Sequence, residues 1–162
     1  MEIENIKFRT DVKREDIENV REILFSSGFF YDFEIAVAIE LVEEALENGT
    51  ESDYLFVFAE YEGNTIGYTC FGQIACTKYS YDLYWIGVHN NYRGAGIGKI
   101  LMSETEKNIK KLGGKGIYIE TSSRDKYIPT QKFYDNCNCE LIARINDFYD
   151  EGDDKLLYKK IV

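Results

Sequence analysis

The sequence is short of several residue types, and each shortage narrows the options. There is one histidine, His89, and the four cysteines (Cys70, Cys76, Cys137, Cys139) contain no C-x-x-C pair. That inventory argues against a zinc site, which needs nitrogen or sulfur ligands at recognisable spacings. No metal is expected, and the cysteines read as small core residues. Basic residues are outnumbered, 19 against 29 acidic, for a formal net charge of −10. Nucleic-acid binding needs a basic footprint and is not expected. A cationic substrate is compatible with the charge, although a solubilising acidic surface explains it more simply. No apolar run approaches the length of a membrane span, and "MEIENIKFRT" lacks the apolar core of a signal peptide. The expectation is a cytoplasmic protein with no membrane partner and reduced thiols. Linkers, internal repeats and low-complexity stretches are also missing, so residues 1–162 read as a single domain.

What is present is a folded composition, 44% hydrophobic and 15% aromatic. "IKFRT" (6–10) reads as a strand. A helix follows with Ile17, Val20 and Leu24 on one face, closed near Gly28. A second helix has Asp32 as its expected N-cap, the stripe Ile35, Ile39, Val42 and Leu46, and Gly49 past its end. From residue 54 the chain turns aromatic and β-branched, with "EGNT" as a hairpin turn. "YDLYWIGV" (81–88) is nearly all apolar and is expected to be a strand buried on both faces. A helix then carries Ile97, Leu101, Ile109 and Leu112 inward and stops at Gly113-Gly114. "GIYIETSS" is a strand, and Pro129, the only proline, starts a short helix. "DEGDD" is a solvated turn between the last two strands. The order β-α-α-β-β-β-α-β-α-β-β defines a mixed α/β domain.

The unusual stretch is "NYRGAGIGKILM" (91–102), with glycine at 94, 96 and 98. A glycine-rich turn from a strand into a helix suits an anionic phosphate. The first N–H groups of the helix lack intrahelical partners, and the helix dipole adds positive potential. Arg93 and Lys99 add local charge. A P-loop is excluded, because Gly98-Lys99 is followed by Ile100 and Arg93 stands where its first glycine belongs. A dinucleotide fingerprint beginning at Gly94 would need glycine at 99. A helix start with glycines for tight packing is the plain alternative.

Arg93-Gly94-Ala95-Gly96-Ile97-Gly98 matches the R/Q-x-x-G-x-G/A signature of the GNAT (Gcn5-related) N-acetyltransferases. "YWIGVHNNYRGAGIGKILM" resembles the fourth strand and third helix of that family, and "KFYDNCNCELIAR" resembles its "FYEKxGF" segment. The element order resembles the GNAT acyl-CoA N-acyltransferase fold along essentially the whole chain. The resemblance implies acetyl-CoA as co-substrate and a primary amine as acceptor, small molecule or protein. It implies pantetheine pairing with Trp85, Ile86, Gly87 and Val88, and pyrophosphate held by the N–H groups of Gly94, Gly96, Ile97, Gly98 and Lys99, with Arg93 and Ala95 in the same loop. It also implies that the fourth and fifth strands splay to admit the thioester. A homodimer is left open. Two positions depart from the pattern. Asn138-Cys139 stands where the family has glycine and an aromatic, although asparagine tolerates positive φ. Tyr127 stands where asparagine is common.

Acetyl transfer to an amine needs a proton acceptor, since an alkylammonium has a pKa near 10. It also needs oxyanion donors and a proton for the departing thiolate. The resemblance implies Tyr134 as the acid. Glu120 aligns with the base of ribosomal-protein N-terminal acetyltransferases, and Asp82 lies where histone-type members place a glutamate. Glu120 is the first expectation for the base, with Asp82 orienting the site. A structural role for either carboxylate, and a water relay, stay open. Tyr149 is a lesser candidate for the acceptor site. Cysteine nucleophiles are disfavoured, because Cys137 and Cys139 lie past the helix. The alternative from another class is a catalytically silent acyl-CoA sensor or interaction module.

Overall fold

The expected order of elements is the order found in a computed structural model of the chain, which describes residues 2–162. The strands are β1 (Lys7–Arg9), β2 (Leu55–Tyr61), β3 (Asn64–Gln73), β4 (Ser80–Val88), β5 (Gly116–Ser122), β6 (Glu140–Asp150) and β7 (Asp153–Ile161). The helices are α1 (Asp16–Ser26), α2 (Asp32–Asn48), α3 (Ile97–Lys111) and α4 (Ile128–Asn136). The seven strands form a mixed sheet in the order β1-β2-β3-β4-β5-β7-β6. The backbone divides into two compact units, one holding the chain up to Gly72 with Trp85–Thr105, the other Gln73–Tyr84 with Glu106–Val162.

In the first unit the apolar stripes of α1 and α2 close over β2 and β3. Val20, Ile23 and Leu24 of α1 and Ile35, Ile39 and Val42 of α2 are buried with Phe56, Phe58 and Tyr68. The Phe56 and Phe58 rings stack at 5.5 Å. Alternate residues of β3 face the other way, and there the Thr69 and Thr105 hydroxyls share a buried 2.7 Å hydrogen bond. β1 is pinned by Arg9, whose guanidinium lies 4.2 Å over the Phe58 ring and pairs with Asp16 and Glu60, each at 2.5 Å. Asp16 is fully buried, so this partner is what makes its charge tolerable. The β2–β3 turn places Glu62 and Gly63 at φ +50° and +82°, the two positive values of a type I′ hairpin.

In the second unit β7 lies between β5 and β6, antiparallel to both. β4 pairs with β5 in parallel over three positions, Ser80↔Gly116, Tyr81↔Ile117 and Asp82↔Tyr118, where their pairing with each other ends. Tyr134 and Cys139 lie beside Tyr158 on the buried side of this unit. α4 ends in a Schellman-like turn, with Asn138 at φ +58° and the Cys139 N–H donating to the Tyr134 carbonyl at 3.0 Å. Asparagine therefore takes the left-handed conformation that glycine commonly takes at a helix end.

Five local expectations are corrected. β4 is not buried on both faces: Tyr81 and Leu83 are buried, Tyr84 is exposed and Trp85 to Val88 are half-buried. Leu112 lies past the end of α3 and is exposed, while Met102 and Thr105 complete the inward face. Tyr31, not Asp32, is the N-cap of α2, and its N–H donates to the Glu34 carboxylate at 2.8 Å. Cys76 is exposed in the β3–β4 connection at φ +62° and is no core residue. The acidic segment is not simply a solvated tip. The turn proper is Glu151-Gly152, so Asp153 and Asp154 belong to β7 and are buried.

Tyr68 is fully buried and its hydroxyl has no hydrogen-bond partner among the described residues. An unsatisfied buried hydroxyl costs about 1–3 kcal/mol. Tyr68→Phe should therefore raise the unfolding free energy in urea by about 1 kcal/mol. A lowered midpoint would show that the hydroxyl is in fact bonded.

Candidate active site

The glycine run opens α3. Lys99 and Ile100 are the first N–H groups to enter the helical ladder, and both donate to the Gly96 carbonyl, at 3.1 and 3.2 Å. The N–H groups of Gly96, Ile97 and Gly98 come before that ladder, whereas the Lys99 N–H expected to join them is engaged in the first turn. Gly94 and Gly96 adopt φ +80° and +82°, and a Cβ at either would meet nothing within 4 Å. Open space over the backbone, a helix N-terminus and two exposed cations, Arg93 and Lys99, fit a pyrophosphate. Ile97 is buried and anchors the helix start, while Ala95 and Gly98 are half-buried.

The strand leading into this loop is held by close packing. A Cβ on Gly87 would lie 3.1 Å from Ile23 and 3.3 Å from Leu24 and Tyr68, so α1 sits directly against β4 at this point. A Cβ on Gly67 would lie 2.9 Å from the Gly87 carbonyl oxygen and 3.0 Å from Leu101. Gly67 thus lets β3, β4 and α3 approach; nothing in its sequence context marks it. Trp85 packs against the core of α1 and α2 and meets Phe30 edge-on at 5.3 Å. Ile86 and Val88 are half-buried.

In the second unit the strand register sorts the candidate groups by face. Cross-strand partners share a face. Asp82 pairs with Tyr118, Tyr118 with Lys159, Glu120 with Leu157 and Ser122 with Lys155, so Asp82, Glu120 and Lys155 lie on one side. Ile119 pairs with Tyr158 on the other side. Tyr134 packs there, its ring 5.5 Å from that of Tyr158. Burial, with smaller contributions from Cys139, Cys137 and Tyr158, pushes the Tyr134 phenol well above its ordinary value, so it stays protonated at neutral pH. Asp82 is half-buried, and its proton affinity is raised by that burial and by Glu120, against an opposing effect of Lys155. Glu120 is not buried: its side chain is 51% exposed and pairs with Lys155 Nζ at 2.8 Å. The Tyr149 phenol is raised to about 12 by burial, then by Glu120, Asp153 and Tyr127.

The two aspartates expected to be solvent-facing are instead paired, Asp153 on the face of Lys155 and Asp154 on the opposite one. Asp153 accepts a hydrogen bond from the Ser122 hydroxyl and pairs with Arg124 Nε at 3.1 Å. Asp154 pairs with Arg144 at 2.5 Å and accepts the Asp147 N–H at 2.9 Å. These two contacts, the backbone one first, hold its carboxyl below the usual range. The β6–β7 register jumps from Ile145↔Lys155 to Asp150↔Asp153, so residues 146–149 bulge and carry Phe148 and Tyr149 outward. Among the described residues no group of three or more His, Cys, Asp or Glu is arranged to hold a metal ion, and no helix is long and apolar enough to cross a membrane.

A mixed seven-stranded sheet with an early-ending parallel pair, and a glycine-rich helix start after β4, are features of an acyl-CoA N-acyltransferase fold. The model of the acetyltransferase (GNAT) family matches residues 17–138. A protein from Desulfovibrio desulfuricans assigned to the GNAT acetyltransferases is 38% identical, over 96% of this chain and 98% of its own, with a TM-score of 0.94. The chain therefore belongs to the GNAT acetyltransferase family. More distant structures share the fold. The ribosomal-protein-S18-alanine N-acetyltransferase of Escherichia coli is 14% identical over 97% of this chain and 94% of its own, with a TM-score of 0.73. An aminoglycoside 6'-N-acetyltransferase complexed with coenzyme A is 16% identical over 96% of each chain, with a TM-score of 0.74. No curated protein sequence matches the chain.

The packing around Gly67 yields a test. Gly67→Ala sets a methyl against the Gly87 carbonyl, and overpacking of this kind costs about 1–3 kcal/mol. Urea denaturation should show that loss, and acetyl-CoA affinity measured on the folded variant should fall as β4 shifts. Unchanged values for both would show that β4 can move aside freely.

Proposed function

We propose that the chain is an acetyl-CoA-dependent N-acetyltransferase that passes the acetyl group to a primary amine by direct attack in a ternary complex. The observation that carries this reading is the sorting of groups by face. A buried, protonated tyrosine lies on one side of the second unit's strands and two carboxylates on the other, at the point where the β4–β5 ladder stops. An amine and a thiolate need opposite proton chemistry, and this arrangement keeps the two apart.

When bound, acetyl-CoA supplies an acetyl thioester. The N–H groups of Gly94, Gly96, Ile97 and Gly98, with Arg93 and Lys99, would hold its pyrophosphate. Backbone groups of Trp85 to Val88 would hold the pantetheine as an added strand and offer N–H donors to the developing oxyanion. Tyr134 Oη gives a proton to the departing sulfur. For the amine, the balance between the two carboxylates favours Asp82 over Glu120. Glu120 is committed to Lys155, whereas partial burial and the Glu120 charge make Asp82 the stronger proton acceptor. Glu120 and Tyr149 then flank the acceptor.

Gly98→Glu tests the cofactor site. An acid in the first turn of a helix is favourable for the fold, but its carboxylate would lie where the pyrophosphate binds. Calorimetry should find acetyl-CoA binding lost with the melting temperature kept; retained affinity removes this loop from the site. Binding of acetyl-CoA without turnover on any of a panel of amines, followed by thiol release, would mark the chain as an acyl-CoA sensor instead.

Tyr134→Phe and Asp82→Asn test the proton path. General acid–base roles are worth about 10²–10⁴ in rate, so Tyr134→Phe should lower turnover by such a factor with little change in acetyl-CoA affinity. Asp82 with a raised pKa accepts a proton only above that value, so activity should fall as pH drops through it. Asp82→Asn should abolish that acidic limb, and its defect should shrink as pH rises toward the amine's own pKa. If Glu120→Gln shows the pH-rescued defect and Asp82→Asn does not, Glu120 is the base.

A further inference from the structure

We propose that Lys155 is a positioning residue that clamps Glu120 on the face that carries Asp82 and offsets the negative charge gathered there. The inference rests on the reading of Asp82 and Glu120 as acceptor-side groups, and goes beyond it by assigning a role to a lysine outside the family signature.

Lys155 is held in place from three strands. On β7 its Cα stands opposite Ser122 of β5 and Ile145 of β6. Its side chain is only 13% exposed, and Nζ lies 2.8 Å from Glu120 Oε2 and 4.0 Å from the centre of the Phe148 ring. Phe148 comes from the β6 bulge, so the irregularity in that strand supplies the lid over the ammonium. A cation enclosed by a carboxylate and a ring face is worth more than a surface pair, because less water screens it. Its spacing on β7 makes it the diagonal neighbour of Glu120, on the face that also carries Asp82.

A second carboxylate on the same face makes the charged form of Asp82 more costly. The groups that bear on Asp82 are Glu120 from β5 and Lys155 from β7. Lys159 of β7 stands on the same face, over the Tyr118 ring. Tyr149 from the β6 bulge is coupled in turn to Glu120, Asp153 and Tyr127. Lys155 is the cation that offsets both carboxylates. Its removal leaves that face without this cation, and Asp82 then takes up its proton at higher pH. Removal of Glu120 does the opposite, since Asp82 loses its like-charged neighbour and keeps the lysine.

The test reads the carboxylates directly, in the protein without acetyl-CoA, by carbon-detected NMR titration of the Asp and Glu side chains. In Lys155→Met the Asp82 midpoint should rise by about one pH unit. In Glu120→Gln it should fall, and Lys155→Arg should restore the wild-type value. An Asp82 midpoint that is the same in Lys155→Met as in wild type overturns the proposal. So does a movement in the same direction in Lys155→Met and Glu120→Gln, and the latter serves if Lys155→Met fails to fold. The pH profile of kcat/KM separates this from the reading beneath it. If the NMR midpoints move as stated while Asp82→Asn retains the acidic limb, the clamp stands and Asp82 is not the base.

Discussion

Strands β4 and β5 part company after three paired positions, and much of this molecule follows from that early end to a ladder. A backbone N–H or carbonyl that leaves a ladder must find another partner, because leaving it buried and unpaired is costly. β4 continues through exposed Tyr84 and half-buried Trp85 to Val88 where its composition suggested full burial. Its apolar side chains from Trp85 onward are only partly covered.

The same strands impose a separation of chemistry. Because side chains alternate across a sheet, Asp82 and Glu120 fall on one face and the residues that pack Tyr134 fall on the other. Burial keeps Tyr134 protonated. Partial burial, with Glu120 on the same face, raises the proton affinity of Asp82. Neither property depends on residue type alone: both come from how much water each group keeps and which charges face it.

The charge of −10 also reads differently once the residues are located. Acidic residues are not spread only over solvent. Asp16, Asp153 and Asp154 are buried, and each is held by an arginine, Arg9, Arg124 and Arg144 respectively. The last two pairs brace the ends of β5, β6 and β7. Part of what looked like a solubilising surface is therefore internal scaffolding.

The sequence by itself determined the element order, the helix stripes, the hairpin at Glu62-Gly63 and the glycine-rich start of α3. These depend on periodicity and on backbone freedom, which are local properties. It also pointed to Asn138 as a helix stop, because positive φ is a property of the residue type. Only the tertiary structure decided that Glu120 is exposed and paired, that Asp153 and Asp154 are buried, and that Gly67 lets β3, β4 and α3 close. Lys155, one of several lysines near the C-terminus, gained its place only when β5, β6 and β7 were set in register. Its partners, Glu120 and Phe148, lie far from it or across a turn in the chain, and no local pattern records such pairs. Charge state and burial are set by neighbours from distant segments, so they emerge only when the sheet is formed.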